Sequence, residues 1–196
     1  MNAAAHPIED DDPPPPSRPA LYHVTEEEFL ELPESTDRVE LIDGEIYVAP
    51  SGTWRHQSLA LDLAIHLRGW AATRDPRPAI GIAPCDVRFG PDRILQPDLF
   101  VILGGLPPDA ATPLRTVPDL CVEILSQNRA YDRLAKRFIY AQAGVAELWT
   151  VDPAGHLERW SGPGLAAREL VAGTLTTPLL PGLSIALPAL FRGGLG

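Results

Sequence analysis

Pro118-Asp119-Leu120-Cys121-Val122-Glu123-Ile124-Leu125 is an almost unbroken apolar run with one carboxylate inside it, and its reading decides the fold. A run of this kind is the pattern of a central sheet strand covered on both faces. A helix follows from about Asn128 to Ala143, and Gly144 ends it. Ala146 to Val151 is the next strand. Asp152-Pro153-Ala154-Gly155 then turns the chain into a strand over His156 to Trp160. Short strands around Leu170, Leu175 and Ile185 close the pattern at Leu190-Phe191.

Upstream, Pro97 to Leu103 reads as a strand, preceded by a turn at Phe89-Gly90-Pro91-Asp92 and a strand over Ala79 to Arg88. Residues 53–72 read as a helix, because Leu59, Leu63 and Leu67 recur every four residues with alanines beside them. Val39 to Ile42 and Glu45 to Val48 flank Asp43-Gly44, a strong hairpin signal. Thr25-Glu26-Glu27-Glu28 is a capping box, with Val24 and Phe29 placed as a hydrophobic staple and Pro33 as the stop. Strands dominate, two or three helices cover them, and there is no internal repeat. Residues 1–20 hold Glu9, Asp10, Asp11, Asp12 and four consecutive prolines without apolar periodicity. They read as a disordered acidic tail ahead of a single domain over 21–196.

The chain has 196 residues, 45% apolar and 21% charged, which suits one globular domain and excludes collagen, coiled coil and wholesale disorder. No apolar run is long enough to span a bilayer, and Met1 is not followed by a secretory signal pattern. Cys85 and Cys121 lie in apolar runs and read as buried residues of a reduced, cytoplasmic protein, with a disulfide between them left open. The net charge of −10 argues against a broad basic surface for nucleic acid. The tail accounts for four of the acids and for Arg18, which leaves −7 on the body. Lys136 is the only lysine in the chain. A GC-rich coding bias explains an excess of Arg but not the survival of one Lys.

Three residues stand out chemically. Glu123 shares a strand face with apolar Cys121 and Leu125, and a carboxylate buried there is costly unless paired or bound to a cation. Its bland reading is a face turned to solvent. Asp98 opens a strand directly after Pro97 and reads equally as a turn residue. Lys136 falls on a helix line with Asp132 and Tyr140 at four-residue spacing, and on its own it reads as a solvated helical lysine. Two carboxylates on neighbouring strands with one Lys would suit phosphodiester cleavage. Acids of this kind hold Mg²⁺, and the ammonium steadies developing charge.

Several stretches carry a resemblance to a known family. They are Val39-Glu40-Leu41-Ile42-Asp43-Gly44-Glu45-Ile46 with Arg55-His56-Gln57, then Gln96-Pro97-Asp98, then Pro118 to Ser126 with Asp132-Arg133-Leu134-Ala135-Lys136-Arg137, and Tyr140 to Pro153. Together they resemble the Uma family of putative restriction endonucleases, a bacterial branch of the PD-(D/E)XK nuclease superfamily. The resemblance implies a restriction-endonuclease-like α/β fold, a mixed central β-sheet flanked by helices. It implies that Asp98 and Glu123 are metal carboxylates, that Lys136 is the catalytic Lys displaced onto the following helix, and that Glu40 is an extra acid. Leu125 stands where the superfamily pattern places Lys. His56, Asp132, Arg133 and Tyr140 are candidates for contacting substrate or supporting the site. His56 reads equally as a helix-start or surface residue.

The function implied is Mg²⁺-dependent hydrolysis of nucleic acid, with DNA as the expected substrate and Mn²⁺ as a substitute ion. The expected assembly is a homodimer, since cutting both strands with single-site domains usually takes two subunits. The rival reading is a non-cleaving binding or assembly module that keeps the fold. A local groove with Arg55, Arg129, Arg133 and Arg137 would let an acidic protein meet phosphate.

Overall fold

The computed structural model describes residues 23–33, 35, 37–49, 51–125 and 130–192, with side chains throughout except at 130–133. The acidic tail, Arg129 and the expected helix start at Asn128 lie outside the described residues.

Thr25 accepts from the Glu28 backbone N–H, Glu28 accepts from the Thr25 N–H at 2.9 Å, and helix α1 (Glu26–Leu30) begins there. Strands β1 (Arg38–Ile42) and β2 (Glu45–Ala49) form the expected hairpin. Its turn needs positive φ at both central residues, and Asp43 (φ 51°) and Gly44 (φ 81°) supply it. The long helix α2 (Trp54–Ala71) is capped by the Thr53 side chain. Then come β3 (Ala79–Ile82), β4 (Val87–Gly90), β5 (Arg93–Leu95), β6 (Leu99–Ile102), β7 (Leu120–Ile124), α3 (Ala130–Ala143) and β8 (Glu147–Asp152). The chain continues through β9 (His156–Ser161), β10 (Ala167–Val171), β11 (Thr174–Leu175) and β12 (Ile185–Ala186) to α4 (Leu187–Arg192).

Among the described residues the strands form a six-stranded mixed sheet, β10-β9-β8-β7-β6-β3, a four-stranded sheet, β2-β1-β5-β4, and the short β11-β12 pair. Within the six-stranded sheet only β7 and β8 run parallel, and α3 is the crossover between them. Helices therefore flank a central mixed sheet, the architecture expected. Alternation along β7 assigns its two faces. Leu120, Val122 and Ile124 join Leu59, Leu63, Leu67 and Trp70 of α2 in one core. Cys121 joins Ile139 and Tyr140 of α3 in a second core, which also takes Phe100 from β6, Val87 and Phe89 from β4, and Ile42 from β1. One face of the four-stranded sheet thus shares the α3 core. Its other face buries Leu41 and Ile94 under Phe29 of α1.

Two local expectations are corrected. The single strand over Ala79 to Arg88 is two strands in different sheets, β3 against β6 and β4 against β5. Pro84 lies at the break and has no N–H to continue a ladder. The C-terminal stretch through Leu190-Phe191 is the helix α4, with Leu187 and Leu190 buried and Phe191 packed on the α2 core. Both cysteines are free, Cys121 buried and Cys85 partly so.

Candidate active site

The antiparallel register of β6 and β7 pairs Leu99 with Val122 and Phe100 with Cys121. Carried one residue further, it sets Asp98 opposite Glu123. Side chains alternate along a strand, so both carboxylates project to the α3 side, as Phe100 and Cys121 do. The Ile124 N–H donates to Asp98 Oδ2 at 2.7 Å, which ties the two strand ends together. Both residues thus sit where the sheet stops being apolar.

Strand β1 brings two more charges to the same place. Arg38, Glu40 and Ile42 share a face, and Ile42 packs in the α3 core. Glu40 is buried, 2% exposed, and its Oε1 accepts from the Gln96 N–H and from Lys136 Nζ, each at 2.8 Å. Arg38 Nη1 donates to Asp98 Oδ1 at 2.6 Å. Its Nη2 lies 3.3 Å from Glu40 Oε1 and 4.0 Å from Glu123 Oε2, and also donates to the Gln96 carbonyl. A single guanidinium therefore contacts all three acids.

The helices complete the cluster. His56, in the first turn of α2, places Nε2 3.2 Å from Asp98 Oδ2 and is largely buried, not a surface residue. On α3, Lys136 and Tyr140 stand one turn apart and both reach Glu123. The Lys136 ammonium is 3.7 Å from Glu123 Oε1, and the Tyr140 hydroxyl donates to the same oxygen at 2.5 Å. Lys136 is 4% exposed, so it is not a solvated helical lysine. The structure brings together Asp98, Glu123, Lys136, Glu40, His56 and Tyr140. The side chains of Asp132 and Arg133 lie outside the described residues.

The electrostatics separate the acids. Burial works to raise the Asp98 pKa, but the His56 hydrogen bond, the Arg38 charge and the Ile124 N–H outweigh it and hold Asp98 below its ordinary value. Glu123 is pushed up to about 7, mainly by burial and further by the Asp98 and Glu40 charges, against the pull of Lys136 and Arg38. Burial opposes the charge on Arg38, yet Glu123, Glu40 and Asp98 together raise its pKa, so the guanidinium stays charged. Burial and the Glu123 charge lift Tyr140 well above the ordinary phenol value, which keeps it a neutral donor.

A divalent cation suits this donor set. Oxygens of Asp98, Glu40 and Glu123 all lie within 4.0 Å of the two terminal nitrogens of Arg38, a cationic group, and hard oxygen donors are what Mg²⁺ prefers. Two buried polar atoms of residues in the cluster, Arg38 Nε and His56 Nδ1, have no hydrogen-bond partner among the described residues. Buried polar atoms rarely go unpaired, so these two retain unused hydrogen-bonding capacity. Among the described residues no group of three or more His, Cys, Asp or Glu side chains forms a ready-made metal cage.

Sequence reasoning missed Arg38 and the Gln96 backbone, whose N–H donates to Glu40 and whose carbonyl accepts from Arg38. Arg38 lies two residues before Glu40 and so shares its strand face, but nothing in the sequence marks that face as the acidic one. Two expected groove arginines point elsewhere. Arg55 donates to the Phe191 carbonyl, and Arg137 stacks on Trp160 at 4.1 Å. The other buried acid, Glu147, accepts from Trp149 Nε1 and Thr177 Oγ1, each at 2.6 Å, so hydrogen bonds within the fold explain it.

The comparisons with known proteins agree with this architecture. A solved structure titled as a putative nuclease belonging to DUF820, from Anabaena variabilis, superposes with a TM-score of 0.73 at 21% identity, covering 87% of this chain and 98% of that one. It shows the shared fold. No curated protein matches the sequence. The family model described as Uma2, putative restriction endonuclease, matches residues 26–188, a span that runs from the first turn of α1 into α4 and includes every strand and all six of the assembled site residues. This chain therefore belongs to the Uma2 family of putative restriction endonucleases.

Proposed function

We propose that the protein is a Mg²⁺-dependent endonuclease that hydrolyses phosphodiester bonds of DNA, with Mn²⁺ able to replace Mg²⁺. The observation that carries this reading is the facing of Asp98 and Glu123 across β6 and β7, with the Lys136 ammonium 3.7 Å from Glu123. Asp98 and Glu123 would hold the ion, which supplies Lewis-acid polarisation of the phosphate and activation of water. The chain's own residues do the rest. His56 and the Ile124 N–H orient Asp98 and keep it ionised. The Tyr140 hydroxyl fixes the Glu123 carboxylate. Glu40 holds Lys136 in place, so a compact positive charge stands ready for the charge that develops on the phosphate. Cutting both strands of a duplex with one site per chain implies two copies acting together.

Supercoiled plasmid incubated with Mg²⁺, Mn²⁺ or EDTA tests the reading. Nicked and linear products are expected with either metal and none with EDTA, and Asp98→Ala should be inactive. Cleavage in EDTA, or by the Asp98→Ala variant, contradicts it. The second reading, a non-cleaving module, is favoured by the net charge of −10 and by the engagement of Arg55 and Arg137 away from the acids. It predicts no cleavage of DNA or RNA under any metal condition.

A further inference from the structure

The most unusual feature of the site is that a cationic side chain already sits among its acids. Arg38 reaches Asp98, Glu40 and Glu123 at once through its two terminal nitrogens. Three acids gathered in one pocket repel one another without a positive charge between them, and Arg38 supplies it alongside Lys136. The seat is imperfect, however. Arg38 Nε is buried without a partner, and Nη2 is 4.0 Å from Glu123. Arg38 is also the most exposed member of the cluster, with 21% of its side chain open against 14% for Glu123 and 2% for Asp98 and Glu40, so of these side chains it is the one with a route to solvent. It stands at the first position of β1, where the strand begins.

We propose that Arg38 is a resident counter-cation, that it and a divalent ion are mutually exclusive between Asp98 and Glu123, and that the ion binds by displacing the guanidinium towards solvent. The inference rests on the metal reading given under the proposed function, and it assigns Arg38 a role that reading does not. Both cations need the same lone pairs. Asp98 Oδ2 is already taken by His56 and the Ile124 N–H, so Oδ1, the oxygen that Arg38 holds, is the one an ion would use. The exchange keeps the acids neutralised in both states. It also frees a planar, bidentate donor beside the acids, of the geometry that pairs with a phosphate.

The test uses the full chain without nucleic acid. Mn²⁺ binding is measured by calorimetry for the wild type, Arg38→Met and Arg38→Gln. Arginine reactivity towards phenylglyoxal is mapped by mass spectrometry on the wild type with and without Mn²⁺. Both variants should bind Mn²⁺ at least about tenfold more tightly than the wild type, because a competing positive charge is gone. Removing any nearby cation would tighten binding, so the labelling decides whether the guanidinium moves. Mn²⁺ should raise Arg38 labelling several-fold while labelling of Arg159 and Arg168, paired to Glu169 and Glu158, stays constant. Variant affinity equal to or weaker than wild type, or Arg38 labelling unchanged or reduced at saturating Mn²⁺, overturns the displacement and leaves the metal reading standing. Absence of Mn²⁺ binding in all three proteins overturns both. Should neither variant fold, the wild-type labelling alone decides.

Discussion

At the scale of single residues, the site is a balance of buried charges, and Glu123 is where the balance is tightest. Its pKa of about 7 in the fold, against an ordinary value of 4.5, means that folding favours the protonated acid. Such a group costs nothing below pH 4.5, where it is neutral in both states. As pH rises from 4.5 to 7 the unfolded chain gives up the proton and the folded chain keeps it, so stability falls across that window and is level above it. At about 1.4 kcal/mol per unit the loss is on the order of 3 kcal/mol in the metal-free protein. Glu123→Gln should flatten this part of the pH–stability profile and be as stable as wild type or more so at pH 8, as read by urea unfolding in EDTA. Lys136 separates two roles. Lys136→Met strips a buried cation from Glu40 and Glu123 and should cost on the order of 3 kcal/mol in stability. It should also slow single-turnover cleavage by ~10²–10³-fold. Lys136→Arg keeps the charge and should recover stability better than rate, because a planar fork does not replace a compact ammonium. Glu123 and Lys136 were legible in the sequence because each is out of place, an acid in an apolar strand and the only Lys of the chain. Arg38 was not, since an Arg at the start of a strand among 15 arginines carries no such signal until the fold surrounds it with acids.

At the scale of elements, local chemistry specified most of the pieces. The capping box, the Asp43-Gly44 turn and the four-residue leucine spacing each act within a few residues, and α1, the β1-β2 hairpin and α2 formed where those signals stand. What the pattern could not carry was partnership. Ala79 to Arg88 reads as one extended segment, but the division of β3 and β4 between two sheets depends on partners β6 and β5 elsewhere in the chain. The helix α4 is six residues of mostly apolar character, too short for its periodicity to tell it from a strand. The helix α2 holds the sheet face opposite the acids. Leu63 at its centre is fully buried against that sheet. Leu63→Ala should cost roughly 3–5 kcal/mol by thermal unfolding, yet leave the Mn²⁺ affinity of the folded protein unchanged, because the cavity opens on the far side of β7.

At the scale of the whole molecule, the site gathers parts from the six-stranded and four-stranded sheets and two helices that lie far apart in sequence. Glu40 and Lys136 are separated by 96 positions and joined by one hydrogen bond at 2.8 Å. The resemblance to a family named the participants, while only the fold shows Glu40 holding Lys136 and Tyr140 holding Glu123. Residues 1–20 carry Pro-rich acidic sequence with no apolar periodicity. Their deletion should leave the melting temperature within error, and a large drop would show that they pack on the body. No helix among the described residues is long and apolar enough to cross a membrane. The central claim of the proposed function is that Glu123, facing Asp98, serves chemistry and not stability. The most direct measurement is single-turnover DNA cleavage at saturating Mg²⁺ by wild type and Glu123→Gln, with urea unfolding of both. The account predicts cleavage by the wild type and none by Glu123→Gln, in a variant at least as stable as its parent. A Glu123→Gln protein that cleaves at the wild-type rate, or that fails to fold, would contradict it.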